Sequence, residues 1–491
     1  MPIPPRTADP AHPVLAVDGA RRAHGERLYV FDNPEPFMTG QPAVGSAMSS
    51  FDTPPTDLPD PSGRGVVAAD GATVAPAAAD LPRVSKKFII AYSLASLATA
   101  TAVNTPIFIT LALRIAEIAP DDKTIDYSML SSAGMLVATL CIPVVGTLSD
   151  MTLSRFGMRR PWFLFGLLGT SIGSVLVGMA GSIPTLAVGY LVMCAAGTAI
   201  TIPLLAVIAD RVPEHQQGVL SGVVGGGNLI SSMLGSIVVA LIPSSSFWQV
   251  NLPMVVCVVA VLAFALFRDK TFAEQRPNGP HIGMRWSDVL DNMYFRPREA
   301  PDFARVLGAM FLVTIGVALS STYTVYSLQD HVKVDSSDLN NSVAFVTIFA
   351  TLPALVLSPL AGSLAEKYGR WRPYFAAGAL IAALGVLISF GGRTLPWYYT
   401  GALINGVGTA LYSGVYVGYA ITTMGDTEHK ARNLGLTNIA LSLPLAIAPL
   451  LGPIFLNIGP GAGDNYVSLS LAACVFMAAS VPVLFRIRSV R

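Results

Sequence analysis

Gly146-Thr-Leu-Ser-Asp150-Met-Thr-Leu-Ser-Arg155-Phe-Gly157-Met-Arg159-Arg160-Pro161-Trp162 is the most informative run in this 491-residue chain. It sets three arginines and an aspartate in a short turn between long apolar segments. Short cytoplasmic loops of membrane proteins collect Lys and Arg in this way. A weaker echo, Gly362-Ser-Leu-Ala-Glu366-Lys-Tyr-Gly369-Arg370-Trp-Arg372-Pro373-Tyr374, begins 362 − 146 = 216 residues later. That spacing is nearly half the chain, so the protein reads as two related halves.

Composition agrees with a membrane setting. Hydrophobic residues make up 52% of the chain, charged residues 12%, and the mean hydropathy is +0.57. Soluble domains carry about 25% charged residues. The net charge of +1 points to no anionic partner, and no nucleic-acid partner is expected. Cys141, Cys194, Cys257 and Cys474 all fall in apolar segments, which suits buried free thiols rather than a disulfide framework or a metal site. With no nucleotide-binding motif or metal-ligand cluster, neither an enzyme nor a cofactor is expected. The first residues lack an apolar core, so no cleavable signal peptide is expected.

Residues 1–84 are rich in Pro, Ala, Asp and Gly without an apolar period, and read as a disordered cytoplasmic tail. Apolar runs long enough to cross a bilayer follow at about 88–113, 127–148, 162–182, 184–208, 218–242 and 247–267. Six more fall at about 304–327, 341–364, 373–391, 395–422, 433–457 and 465–486. The domains are therefore an N-terminal bundle (85–267), a cytoplasmic connector (268–303) and a C-terminal bundle (304–491). In the connector Trp286, Val289, Leu290, Met293 and Tyr294 recur at helical spacing, which suits a helix lying on the membrane surface. With both termini inside, the inner loops from residue 83 onward hold 22 Lys and Arg and the outer loops hold four, Arg114, Lys123, Lys333 and Arg393. That asymmetry predicts a multi-pass protein of the plasma membrane with cytoplasmic termini. A second repeat supports the two-fold plan: Asp210 and Asp426 lie 64 residues after Gly146 and Gly362 (210 − 146 and 426 − 362).

The paired hairpins resemble the signature of the major facilitator superfamily over residues 85–490. Gly146, Leu148, Ser149, Asp150, Gly157, Arg159 and Arg160 match its pattern, with extra residues between the aspartate and the second glycine. The extended form is similar to sucrose–proton symporters and glycoside–pentoside–hexuronide symporters, through Ser149, Asp150, Ser154, Arg155, Phe156, Gly157, Arg160 and Pro161. The two helix-two aspartates of the cation-coupled carriers are replaced here by Ala138 and Ile142. Gly222 and Gly225–Gly227 in the fifth helix come without the proline of drug–proton antiporters, and Leu451-Gly452-Pro453 reads as a kinked helix. The resemblance implies an all-α membrane protein of twelve transmembrane helices in two six-helix pseudo-repeat bundles. It also implies a conformational latch at one end, made of Asp150, Arg155, Arg159 and Arg160 and matched by Glu366, Arg370 and Arg372. The alternative is that these arginines only set topology.

Carriers built from two such bundles hold their cargo near the bilayer midplane. No Asp, Glu, Lys, Arg or His lies well inside any span, and all six histidines fall in tails or loops, so a neutral small solute is expected. The uncharged candidates are Thr101 and Asn104 in helix one, Thr198 and Thr201 in helix four, Asn228 in helix five, Tyr323 and Tyr326 in helix seven, and Asn405, Thr409, Tyr412, Tyr416 and Tyr419 along one face of helix ten. An amide with several phenols suits a sugar ring, offering hydrogen bonds and flat apolar surface; helix packing is the competing role of each tyrosine. For a coupling proton the candidate carboxylates are Glu117, Asp121, Asp122 and Asp126 near the outer mouth, where loop solvation is the simpler role, so facilitated diffusion stays open. The reading is a monomeric secondary-active or facilitative transporter of a sugar or glycoside in the lipid bilayer. The alternatives are an exporter of an uncharged lipophilic metabolite or drug, and a non-transporting sensor that signals through the tail.

Overall fold

The computed structural model describes residues 83–152, 154, 158–242, 245–266, 300–423, 430–459 and 465–487. The tail up to residue 82, Arg155, the connector segment 286–294 and Asp426 lie outside them. Among the described residues there is no strand, and twelve long helices follow one another. In the first half, α1 covers Lys86–Ile118, with a π turn at Pro106–Thr110. Then come α2 (Lys123–Met151), α3 (Arg160–Met179), α4 (Ile183–Arg211), α5 (Glu214–Leu241) and α6 (Ser246–Leu266). In the second half, α7 (Pro301–Thr322) continues past a break at Tyr323 into a π turn at Ser327–His331. It is followed by α8 (Ser336–Tyr368), α9 (Trp371–Gly391), α10 (Leu395–Thr423), α11 (Lys430–Leu456) and α12 (Tyr466–Phe485).

Eleven of these are long and apolar enough to cross a bilayer by length and composition. The other is α10, whose asparagine, five tyrosines and five glycines dilute its apolar content. Helix ends have local causes. The Ser85 hydroxyl accepts from the Phe88 amide at 3.2 Å to start α1. Pro161 sits in the first turn of α3, where its missing N–H costs nothing. Gly369, at φ +61°, ends α8 in the left-handed region. Large apolar side chains stay exposed around the outside, including Phe165 (64%), Leu168 (63%) and Val475 (66%), as acyl chains rather than water would allow.

The two-fold plan is visible in the packing. In the first half α1 packs on α5 and α6, α2 on α4, and α3 on α4 and α6. Adding six to each number gives the second half: α7 on α11 and α12, α8 on α10, and α9 on α10 and α12. The halves meet where α2 packs on α11 and α5 on α8.

Small residues fix the register of the repeat. A Cβ on Gly173 would lie 2.7 Å from the Gly189 carbonyl oxygen, and one on Gly166 would lie 3.0 Å from that of Ala196. In the second half a Cβ on Gly385 would lie 2.7 Å from the Gly401 oxygen, and Gly408 approaches Gly378 in the same way. Such close backbone approach is what small residues allow between membrane helices. The offsets 378 − 166, 385 − 173, 401 − 189 and 408 − 196 are all 212, as are 372 − 160 and 373 − 161. The register is thus 216 before the hairpin and 212 after it, because the first hairpin carries four extra residues. This corrects the second repeat: Asp210 is matched by Thr422, four positions before Asp426 in sequence.

Candidate functional site

At the hairpin end of the molecule, Arg159 is 8% exposed and gathers three groups. Its Nη1 lies 2.5 Å from Asp150 Oδ1 and donates to Ser149 Oγ at 2.6 Å. Its Nε and Nη2 both reach Asp210 Oδ2 at 3.0 Å. Asp150 lies inside the last turn of α2 rather than beyond it, and Asp210 lies in the last turn of α4. The negative end of a helix dipole opposes a carboxylate at both places, and one guanidinium offsets both. Trp162 steadies the turn by donating from Nε1 to Thr152 Oγ1 at 2.8 Å. Asp210 was noticed in the sequence only as a repeat marker; its partnership with Arg159 was not.

The second hairpin is built differently. Glu366 and Arg370 are exposed, and Glu366 has no ion pair among the described residues. Arg372 donates to the Ile487 carbonyl at the end of α12 and lies beside the Tyr419 hydroxyl. The expected Glu366–Arg370/Arg372 counterpart is therefore not formed in this conformation. Residues 152–159 separate α2 from α3, enough for Arg159 to fold back onto Asp150. Only Gly369 and Arg370 separate α8 from α9, too few for the same return.

At the other end, called the gate end here, the halves are bonded to each other. Lys123 Nζ donates to Asp330 Oδ1 at 2.7 Å, and Tyr466 Oη donates to Asp330 Oδ2 at 2.8 Å. Tyr326, fully buried, donates across to the Ala112 carbonyl at 3.1 Å. The Lys123 ammonium lies 5.4 Å from the Tyr326 ring centroid. Tyr127 stands edge-on to Tyr323 and Tyr326, with centroids 6.3 and 5.5 Å away. The Tyr323 and Ser128 hydroxyls are 2.5 Å apart, and Tyr323 donates to the Pro449 carbonyl at 2.7 Å. That carbonyl is free because residue 453, which should donate to it along α11, is a proline. Gly452 leaves room for the Tyr323 ring, which a side chain there would overlap. The Gly452-Pro453 pair, read from sequence as a simple kink, is the socket of a gate tyrosine.

Between the ends, α5 shows two unlike open faces. Val219 and Leu234 are exposed and apolar, as a lipid-facing side should be. Gly218, Ser221, Gly222, Gly225, Asn228 and Ser232 recur at three- and four-residue spacing on another side. Gly218, Gly222 and Gly225 have nothing within 4 Å of a would-be Cβ. This small and polar face lies between the contacts of α5 with α1 and with α8, so it borders a crevice between the halves. Asn104 in α1 donates to Ser231 Oγ at 3.0 Å and to Asn228 Oδ1 at 3.5 Å. The Asn104–Asn228 pair thus stands in the crevice at mid-helix depth. A small recess between the halves beside the gate tyrosines is lined by Phe108, Tyr127, Ser131, Met135 and Ser321.

The other expected solute contacts have different settings. Thr101, Thr198 and Thr201 each donate to a carbonyl of their own helix, those of Leu97, Ala195 and Gly197, which leaves lone pairs but no spare proton. Tyr323 and Tyr326 are spent on the gate. The α10 face is a packing face: the Asn405 amide donates to the Ala382 carbonyl of α9 at 3.1 Å. Tyr412 lies 6.0 Å from the Phe375 ring, and Tyr416 packs on the same cluster. Of this face, Asn405 and Tyr412 thus bear on α9. Of the carboxylates weighed for coupling, Glu117 is held by Arg114 at 2.5 Å and by Ser246 Oγ at 2.8 Å. Lys123, Asp330 and Tyr466 were missed; the signal available was an aspartate and a histidine at the end of the seventh apolar run.

Comparison with known proteins agrees with this architecture. A bacterial homologue of the human lysosomal transporter Spinster, in its inward-facing form, superposes with a TM-score of 0.59 at 16% identity, covering 82% of this chain and 96% of the other. A POT peptide transporter gives 0.67 at 14% identity over 84% and 97% of the two chains. The nucleoside transporter NupG gives 0.66 at 11% identity over 82% and 99%. In sequence, the chain is 28% identical over 176 residues to multidrug resistance protein 3 of Bacillus subtilis, which is 35% of this chain and 33% of that protein. It is 28% identical over 279 residues to a probable nitrate/nitrite antiporter, NarK1, of Thermus thermophilus, which is 54% of this chain and 58% of that one. The matches thus span a third and under two thirds of these two relatives. The Major Facilitator Superfamily profile matches residues 88–449 and 306–491, which together cover all twelve helices. Two pseudo-repeat bundles, a charged hairpin and a set of bonds across the halves accompany that match, and this multi-pass membrane protein belongs to the Major Facilitator Superfamily.

Proposed function

We propose that this transporter moves an uncharged, hydrogen-bonding small solute, with a sugar or glycoside as the best-fitting class, by exposing a central crevice to one side of the plasma membrane at a time. The observation that carries the reading is the Asn104–Asn228 pair, two amides facing an open crevice in spans that hold no ionisable group at mid-depth. Amides offer donors and acceptors together, which suits hydroxyl-rich cargo. A permanently charged cargo would meet no counter-charge there and would carry its full desolvation cost. In this cycle the Lys123–Asp330 gate opens when the hairpin end closes. Asp150, Arg155, Arg159 and Arg160 with Glu366, Arg370 and Arg372 would then form the latch. The Lys and Arg distribution supports a cytoplasmic side for the hairpin end and both termini. A coupling proton, where one is used, would be exchanged at the gate end. The test is uptake of labelled sucrose, maltose and trehalose into proteoliposomes with and without a proton gradient. Uptake of one of them, weakened at least tenfold by Asn228→Ala, is expected; no uptake of any would overturn the sugar reading.

A second reading, export of an uncharged lipophilic compound, is favoured by the apolar side of the recess, Phe108 and Met135, and by the resemblance to a multidrug resistance protein. Extrusion of a lipophilic dye without glycoside binding would select it.

A further inference from the structure

At the hairpin end of the second half, the start of α9 and the end of α12 enclose a hollow of about 340 Å³. Pro373, Ala376, Leu484 and Phe485 form its apolar walls, and Arg370 and Arg372 stand at it. Phe485 is 71% exposed at the molecule's outer surface, away from the crevice between the halves. The exposed Arg486 lies next to it in sequence.

The electrostatics of this corner are unlike those of the first hairpin. Arg159 is matched by Asp150 and Asp210, whereas among the described residues neither Arg370 nor Arg372 has an ion pair. Asp302, which lies near Tyr419, is engaged by Arg305. Arg372 uses one terminal nitrogen on the Ile487 carbonyl, while its buried Nε and the neighbouring Tyr419 hydroxyl each lack a hydrogen-bond partner among the described residues. An unpartnered buried donor is costly to keep. A ligand that supplied anionic oxygens at the mouth of the hollow would offset the charge of the exposed Arg370 and of Arg372, and an apolar chain would fill the trough below.

We propose that this hollow is a binding site for an anionic phospholipid, with the headgroup phosphate on Arg370 and Arg372 and an acyl chain along Pro373, Ala376, Leu484 and Phe485. Guanidinium forks match phosphate oxygens in pairs. Basic pockets between membrane helices favour anionic headgroups. The trough commits the site to a lipid rather than to free phosphate, since phosphate alone leaves the apolar walls bare. The site shares no residue with the Asn104–Asn228 crevice, but its Arg370 and Arg372 are also the latch arginines of the proposed cycle, so lipid binding is read apart from solute uptake.

The test is the thermal stability of the full chain in detergent micelles titrated with dioleoylphosphatidylglycerol, dioleoylphosphatidylcholine or inorganic phosphate. The expected result is a saturable rise in Tm with phosphatidylglycerol that the other two do not reproduce. Each arginine near an anionic headgroup contributes about fivefold in affinity, so Arg370→Gln should weaken binding about fivefold and the Arg370→Gln/Arg372→Gln pair roughly twenty-five-fold. Arg370→Gln is the decisive single variant, since Arg372 also caps α12 and its loss can lower the fold's stability. Ala376→Trp fills the trough while leaving both charges in place, and should abolish the phosphatidylglycerol response. An equal response to phosphatidylcholine, reproduction of the rise by phosphate alone, or an unchanged response in Arg370→Gln or Ala376→Trp would overturn the proposal.

Discussion

Lys123 Nζ and Asp330 Oδ1 stand 2.7 Å apart although they belong to opposite halves, one at the start of α2 and the other beyond α7. Their side chains are 19% and 21% exposed, so the pair is neither a surface ion pair nor a dry one. Removing one partner leaves the other half-desolvated. The loss should fall between the fraction of a kcal/mol of exposed pairs and the several of buried ones, at about 1–2 kcal/mol. Asp330→Asn should therefore shift the balance away from the closed gate by roughly tenfold. Spin labels flanking the gate end would report this as a longer inter-half distance. An unchanged distance distribution would mean that the tyrosines hold the gate without the ion pair.

Gly452→Ala tests the tyrosine socket. The added methyl overlaps the Tyr323 ring, and the ring cannot retreat without breaking its bonds to the Pro449 carbonyl and Ser128. Overpacking of this kind costs about 1–3 kcal/mol. The expected outcome is a lower Tm together with faster labelling of a cysteine placed at Ser128. Normal labelling at a normal Tm would show that the socket tolerates a side chain.

Arg159→Gln should be the most damaging change at the hairpin end. It leaves two carboxylates, Asp150 and Asp210, at helix C-termini without their shared partner. Asp210→Asn should be milder, and Asp150→Asn milder still, because Asp150 is 62% exposed against 33% for Asp210. The check is the order of Tm values among the three purified variants; a larger effect for Asp150→Asn than for Asp210→Asn would contradict it.

His331 gives the gate end a pH dependence. Burial lowers its pKa below the ordinary value; the Phe390 carbonyl offsets part of this, and nearby Arg393 adds to the lowering. The closed fold thus prefers the neutral ring, and the unfolded chain takes the proton more readily. This contribution to stability is complete above the unfolded pKa of about 6.5 and is lost as the pH falls below it. Between pH 7.5 and 5.5 the Tm of the unaltered chain should fall further than that of His331→Asn. Equal falls would remove His331 from the account.

Asn405→Ala separates packing from solute binding. Loss of the amide bond to the Ala382 carbonyl should cost about 0.6–1.7 kcal/mol, the range found for hydrogen bonds between membrane helices. Solute affinity should stay unchanged, whereas Asn228→Ala should weaken it with little loss of Tm. The reverse pattern would return α10 to the crevice.

Much of this was legible in the chain itself. The span positions, the two-fold plan and the hairpin required only hydropathy, spacing and charge, because a bilayer leaves few other ways to satisfy a backbone. The π turns in α1 and α7 lengthen those helices beyond their apolar runs and carry Arg114 and Asp330 into helical structure, which a hydropathy window does not register. The candidate site was read less well. Asn104 bonds Asn228 and Ser231 of α5, while Asn405 and Tyr412 bear on α9, since periodicity defines a face without naming what the face meets.

The sequence by itself determined the class of fold, the doubling and the first hairpin, since these follow from local composition and one repeated motif. Only the tertiary structure decided which charges meet. Arg159 reaches Asp210 51 residues along the chain, and Lys123 reaches Asp330 across 207. It also assigned Gly452 and Pro453 to Tyr323 and, among the described residues, left Arg370 and Arg372 without carboxylates. Each of these depends on how one helix is rotated against another, and close packing of side chains from distant segments sets that rotation.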